Sequence, residues 1–99
     1  MTVTEFKASL TKTTPPSGLP LLVEALWWDG KDDWERSHTI AQDINTKDGS
    51  WVHAYLHRKE GDLGNAAYWY ARAGRSMPGG ALEAEWELIA KALLEESGR

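Results

Sequence analysis

The chain has no cysteine. Disulfides, thiolate metal sites and thiol nucleophiles are therefore excluded, and a reducing compartment is the natural setting. Excess positive charge is also lacking: 11 Lys and Arg stand against 15 Asp and Glu, a net charge of −4. The basic residues are scattered and form no stripe of the kind a nucleic-acid surface shows. No long apolar run is present, and the opening MTVTEFKASLTKTTPPSG resembles neither a signal peptide nor a membrane span. The expectation is a soluble cytoplasmic protein that engages neither nucleic acid nor membrane. No Ser-His-Asp order, phosphate-cradling loop or dinucleotide fingerprint occurs, and KEGDLGN around Gly61 reads as one helix ending and another starting.

What remains is a chain of 99 residues, 41% apolar and rich in tryptophan, with six. That is enough to build one core and too little for two domains. Its organisation shows as one phrase said twice. Residues 25–44 (ALWWDGKDDWERSHTIAQDI) and 54–73 (AYLHRKEGDLGNAAYWYARA) each hold an apolar helical stretch, a glycine, an aspartate and a second stretch with small residues spaced for packing. Self-similarity at a period near 30 marks stacked helical hairpins, in which each unit needs its neighbour to bury its apolar side.

The expected architecture is all-α with about five helices, two stacked hairpins plus a C-terminal capping helix. Residues 1–17, rich in Thr, Ser and Lys and ending at Pro15-Pro16, read as a flexible N-terminal arm with Phe6 and Leu10 tucked onto the body. Residues 18–99 form the single helical domain. Ser17 is the expected cap of the first helix, with Pro20 in its first turn. Leu19, Leu22, Val23, Leu26 and Trp27 make its stripe, and Gly30 ends it in a left-handed conformation. Asp32 or Asp33 caps the second helix, where Trp34, Ser37, Ala41 and Ile44 face inward. NTKDG is a turn before a third helix capped by Ser50, buried along Trp51, Val52, Tyr55 and Leu56 and closed by Gly61. Asp62 caps a fourth with Leu63, Ala66, Ala67, Tyr70 and Ala73 inside. The last runs over 81–96, with Leu82, Trp86, Ile89 and Leu93 as its stripe and Glu83, Glu85, Glu87, Glu95 and Glu96 as a polar outer face.

The run GDLGNAAYWYARA is similar to the tetratricopeptide pattern, in which a glycine near the end of one helix precedes small and aromatic residues on the next. Gly61, Ala66, Tyr70 and Ala73 stand at equivalent places, and Gly30, Trp34 and Ser37 do so in the first copy. The longer phrase WVHAYLHRKEGDLGNAAYWYARAG also resembles a group of small uncharacterised bacterial proteins. The first resemblance implies a TPR-like scaffold that works by protein–protein interaction; the second implies no activity.

Two sets of residues are candidates for function. His53 and His57 stand four apart on a helix, so both imidazoles leave the same face and can grip one divalent ion such as zinc. Ala54 occupies the place that glutamate holds in HExxH enzymes. Glu60, three residues beyond His57, and His38, on the second helix, are the candidate third ligands. The competing reading is a solvated face with Glu60 paired to His57. The second set is Trp28 and Tyr68, which fall off the apolar stripes, and Trp69 at the edge of one. Exposed aromatics of this kind anchor a protein or peptide partner, or a second copy of the chain. Two lesser possibilities are His38 as a general acid or base near Asp29, Asp33 or Glu35, and a Trp-lined cleft for a small molecule. The leading expectation is an interaction module; the alternative is a metal-binding protein or small metalloenzyme.

Overall fold

The computed structural model describes residues 1–97. Six α-helices form among them: α1 (Val3–Ala8), α2 (Leu21–Gly30), α3 (Trp34–Gln42), α4 (Lys47–Glu60), α5 (Leu63–Ala73) and α6 (Leu82–Ser97), with a 3-10 turn at Ser9–Thr11. No described residue lies in a strand. The all-α class is as expected, with one helix more than anticipated. None of the helices formed by the described residues is long and apolar enough to cross a membrane.

The additional helix is α1, within the segment expected to be a flexible arm. The Thr2 hydroxyl accepts from the Glu5 amide while the Glu5 carboxylate accepts from the Thr2 amide, a reciprocal capping box. Phe6 is fully buried and stacks on Trp86 at 5.4 Å, and Lys7 reaches Glu87 at 2.5 Å. Lys31 ties the following turn down by donating to the carbonyls of Leu10 and Lys12. The Thr/Ser/Lys composition concealed this helix: Phe6 is its one buried side chain and Val3 is partly covered, while Leu10, which packs on the core as expected, belongs to the turn that follows.

Helix α4 is the centre of the molecule. It packs against α2, α3, α5 and α6, and its residues from Gly49 to His57 are buried without interruption. Helix α6 lies against both α2 and α4, and α1 lies against α6. The array therefore closes into a bundle of 33 × 28 × 26 Å. Trp27, Trp51, Tyr55, Tyr70 and Trp86 all sit in the core. The buried indoles of Trp27 and Trp86 donate to Ser9 Oγ and to the Leu26 carbonyl, so neither N–H is stranded.

Several local expectations are corrected. Helix α2 starts after Pro20, with no side-chain cap from Ser17. Gly30 is its last helical residue, and the left-handed conformation falls on Asp32 (φ 63°) instead. Gly30 matters for a different reason: a Cβ there would come within 2.9 Å of Leu10 and 3.3 Å of Trp86. Helix α4 begins earlier than NTKDG suggests, capped by the Thr46 hydroxyl on the Gly49 amide. Gly49 thus lies inside the first turn, where a Cβ would stand 2.0 Å from the Ile44 carbonyl oxygen. Gly49→Ala forces the backbone at the start of α4 to move and is expected to cost about 2 kcal/mol, read as a lowered urea midpoint with unchanged slope. On α5, Leu63 and Ala67 face solvent rather than the core. On α6, Glu85 is buried rather than part of the outer face.

Candidate metal centre

The contact between α3 and α4 is where the ionisable side chains converge. His53 and His57, expected on an exposed face of α4, are only 6% and 7% exposed. What covers them comes from the flanking helices. His38 of α3 brings its Nε2 to 2.9 Å from His53 Nε2. Trp34, one turn earlier on α3, stacks flat on His38 with ring centres 4.7 Å apart, and its indole donates to the Leu56 carbonyl at 2.8 Å. Trp69 of α5 lies on the other side, 4.1 Å from the His53 ring. Two tryptophans thus wall the three imidazoles, and Trp34 also pins α3 to α4.

One ring nitrogen from each of His38, His53 and His57 lies within 4.8 Å of the other two. Tetrahedral zinc with bonds near 2.0–2.1 Å separates its ligand nitrogens by about 3.3 Å. The 2.9 Å pair is tighter than that, so the His38 and His53 rings must turn apart to admit an ion. Glu60 sets the tautomer of His57. Its Nδ1 lies 2.8 Å from Glu60 Oε1. An ionised carboxylate only accepts, so Nδ1 carries the proton and the Nε2 lone pair is left facing away. The Asn65 side-chain amide donates to that Nε2 at 3.4 Å, a long bond that an ion at Nε2 would displace. Glu60 is exposed and belongs behind His57, not beside the three nitrogens as a third ligand. His57, Glu60 and Asp62 form a second, more exposed group that shares the histidine.

The electrostatics favour neutral rings at His53 and His38. Burial pushes His53 down to about 4, with the neighbouring His38 and then His57 rings adding to the shift. His38 is also lowered, by burial first and by His57 second, while Glu60 opposes the change. A neutral imidazole is the form that ligates metal.

No family model, curated protein or solved structure matches the chain. The chemistry must therefore be read from the site itself.

The three aromatic candidates separate. Trp69 is half-buried and committed to the histidine cluster, with the Arg72 guanidinium 5.3 Å above it. Trp28 is half-buried too, its indole donating to Glu24 and its face covered by the Arg36 guanidinium at 4.1 Å. Only Tyr68 is exposed, at 54%. His38 is not assembled with Asp29, Asp33 or Glu35 as an acid–base group: its polar neighbour is His53.

Two buried carboxylates escaped the sequence reading. Asp29, 1% exposed, accepts from Tyr55 Oη and Lys59 Nζ, both at 2.9 Å. Glu85, 5% exposed, accepts from Tyr70 Oη at 2.5 Å and Arg58 Nη1 at 2.9 Å. Burial, followed by the charge of Asp29 and the hydrogen bond to it, raises the Tyr55 hydroxyl pKa. Burial and then the bond to Glu85 do the same for Tyr70. Both phenols remain donors. The one available signal was helical spacing: Tyr55 and Lys59 stand four apart on α4, on the side away from His53 and His57.

Proposed function

We propose that this protein binds one divalent transition-metal ion, zinc foremost, through His38, His53 and His57. The observation that carries the reading is the convergence of three ring nitrogens from two helices, those of the buried His53 and His57 and the half-buried His38, within reach of a single ion. Oxygen-seeking Mg²⁺ and Ca²⁺ are poor matches for an all-imidazole set, which suits zinc, copper, nickel or cobalt. The Glu60 carboxylate behind His57 is the outer partner that fixes the tautomer and raises the ligand's basicity.

Three protein ligands leave one tetrahedral position for water. With Ala54 where a metalloprotease carries its base, and Glu60 engaged on His57, hydrolysis has no assigned base. The reading is metal binding on a helical-hairpin scaffold of TPR-like type, in a reducing cytoplasm. The interaction reading keeps one specific support, the exposed Tyr68 with Leu63, 55% exposed, on the same helix. In that second reading α5 presents these residues to a protein or peptide, or to a second copy of the chain.

The test is the metal content of untagged protein purified without chelator, followed by zinc titration of the melting temperature. A ligand at 100 times its Kd adds about 2.7 kcal/mol. For a domain of this size that raises the melting temperature by at least about 10 °C. Protein that carries no metal and does not respond to zinc, nickel or copper sinks the reading and leaves Tyr68 as the place to look for a partner.

A further inference from the structure

On the side of α4 away from the histidines, a cavity of about 320 Å³ opens where α1, the C-terminal end of α2, α4 and the N-terminal end of α6 meet. We infer that this cavity binds a small zwitterion of the α-amino-acid type with an aliphatic side chain. The inference is independent of the metal reading.

The argument starts from what lines the space. Asp29 and Lys59 form an ion pair in its wall, Lys59 Nζ to Asp29 Oδ1 at 2.9 Å, with the carboxylate 1% and the ammonium side chain 31% exposed. A buried carboxylate of this kind is costly to keep and is not needed to fill a core. Asp29 receives one hydrogen bond on each oxygen, from Lys59 and Tyr55, and each oxygen retains a lone pair. Lys59 spends one N–H on Asp29 and has two left. The wall therefore offers the Lys59 ammonium as an accessible donor, with the enclosed Asp29 charge behind it and the exposed Asp32 carboxylate at the rim.

An α-amino acid carries the complementary pair, an ammonium and a carboxylate on one carbon. Laid antiparallel, its ammonium faces the rim carboxylate of Asp32, with the enclosed charge of Asp29 behind, and its carboxylate faces Lys59. A ligand of one charge fits less well: an anion meets Asp29, Asp32 and Glu83, and a cation meets Lys59 and Lys7. The rest of the lining is apolar. Leu10, Leu82 and Trp86 provide a surface for an aliphatic side chain, and volumes of 300 Å³ upward are typical of small-molecule sites. Gly30 lets the Leu10 methyls and Trp86 close over the end of α2, where a Cβ would push Leu10 aside.

The experiment is an amide-resolved NMR titration of the whole protein with L-leucine, isovalerate and isopentylamine. Leucine is expected to give saturable shifts at Gly30, Tyr55, Lys59 and Leu82, with both single-charge analogues at least about tenfold weaker. Asp32→Asn keeps a residue type that accepts the left-handed conformation and removes a rim charge. It should weaken leucine severalfold with the fold intact. His57→Ala should leave the leucine titration unchanged, which separates this inference from the metal site. No saturable shift with leucine, or equal affinity for leucine and either analogue, would overturn it.

Discussion

His57→Ala is expected to lower the affinity for zinc by about a hundredfold to a thousandfold, and the His53→Ala/His57→Ala double variant to show no measurable binding. The magnitude follows from the ligand count. Structural zinc sites bind with about 10–16 kcal/mol over four ligands, so each contributes about 2.5–4 kcal/mol, and every 1.4 kcal/mol is tenfold. Glu60→Gln is the finer probe. It keeps an acceptor for His57 Nδ1 but removes the charge, and outer partners of metal-bound histidines are worth about 10–100-fold. The expected order of affinity is native, then Glu60→Gln, then His57→Ala. Tyr68→Ala, distant from the cluster in role and exposed, should leave zinc binding unchanged. Competition titration with a chromophoric chelator reads the whole series. If His57→Ala binds zinc as tightly as the native protein, the ion sits elsewhere and the three-histidine assignment fails. If Glu60→Gln is as damaging as His57→Ala, Glu60 is itself a ligand and the more exposed group of His57, Glu60 and Asp62 is the site.

How much of this was legible beforehand depends on the range of the interactions involved. Helices α2 to α6 follow from local information: apolar spacing, Asp33 and Asp62 as caps, and glycines at 61 and 74 that adopt the left-handed conformation. The His53–His57 pair is equally local, because four residues on a helix return a side chain to the same face. What sequence could not supply was the third ligand and the cover. Helical phasing put His53 and His57 opposite Trp51 and Tyr55 and hence in solvent. That inference assumes one buried face, whereas α4 is enclosed by four helices and buries nine consecutive residues. His38 reaches the site only through the packing of α3 on α4. Glu85 was misplaced for the same reason: a glutamate on a helix normally marks the wet side, and only the tertiary arrangement brings Tyr70 and Arg58 to it. Gly30 and Gly49 were read as helix end and turn, whereas Gly49 is required by its close approach to the Ile44 carbonyl and Gly30 makes room for the Leu10 methyls, neither of which a local rule encodes.

The second large effect concerns that buried pair. Arg58→Met removes the cation facing Glu85 and retains most of the side-chain volume, so the loss is electrostatic rather than a cavity. The Arg58 and Glu85 side chains are 11% and 4% exposed. Solvent therefore does little to screen the charge left behind, and the expected loss is about 3–5 kcal/mol, a large share of the stability of a domain this size. Arg58 also donates to the Gly80 carbonyl, holding the segment before α6, so hydrogen exchange there should accelerate in the variant. Glu85→Gln in the same chain removes the orphan charge while leaving an acceptor for Tyr70. The double variant should accordingly be more stable than Arg58→Met alone, although it carries one more substitution. Urea unfolding of the native protein, both single variants and the double variant closes the cycle. Simple additivity would mean that Glu85 is held by Tyr70 and its helix, with Arg58 contributing only as a strut for the loop. A double variant more stable than Arg58→Met would instead identify the charge itself as what α4 and α6 must neutralise in order to pack.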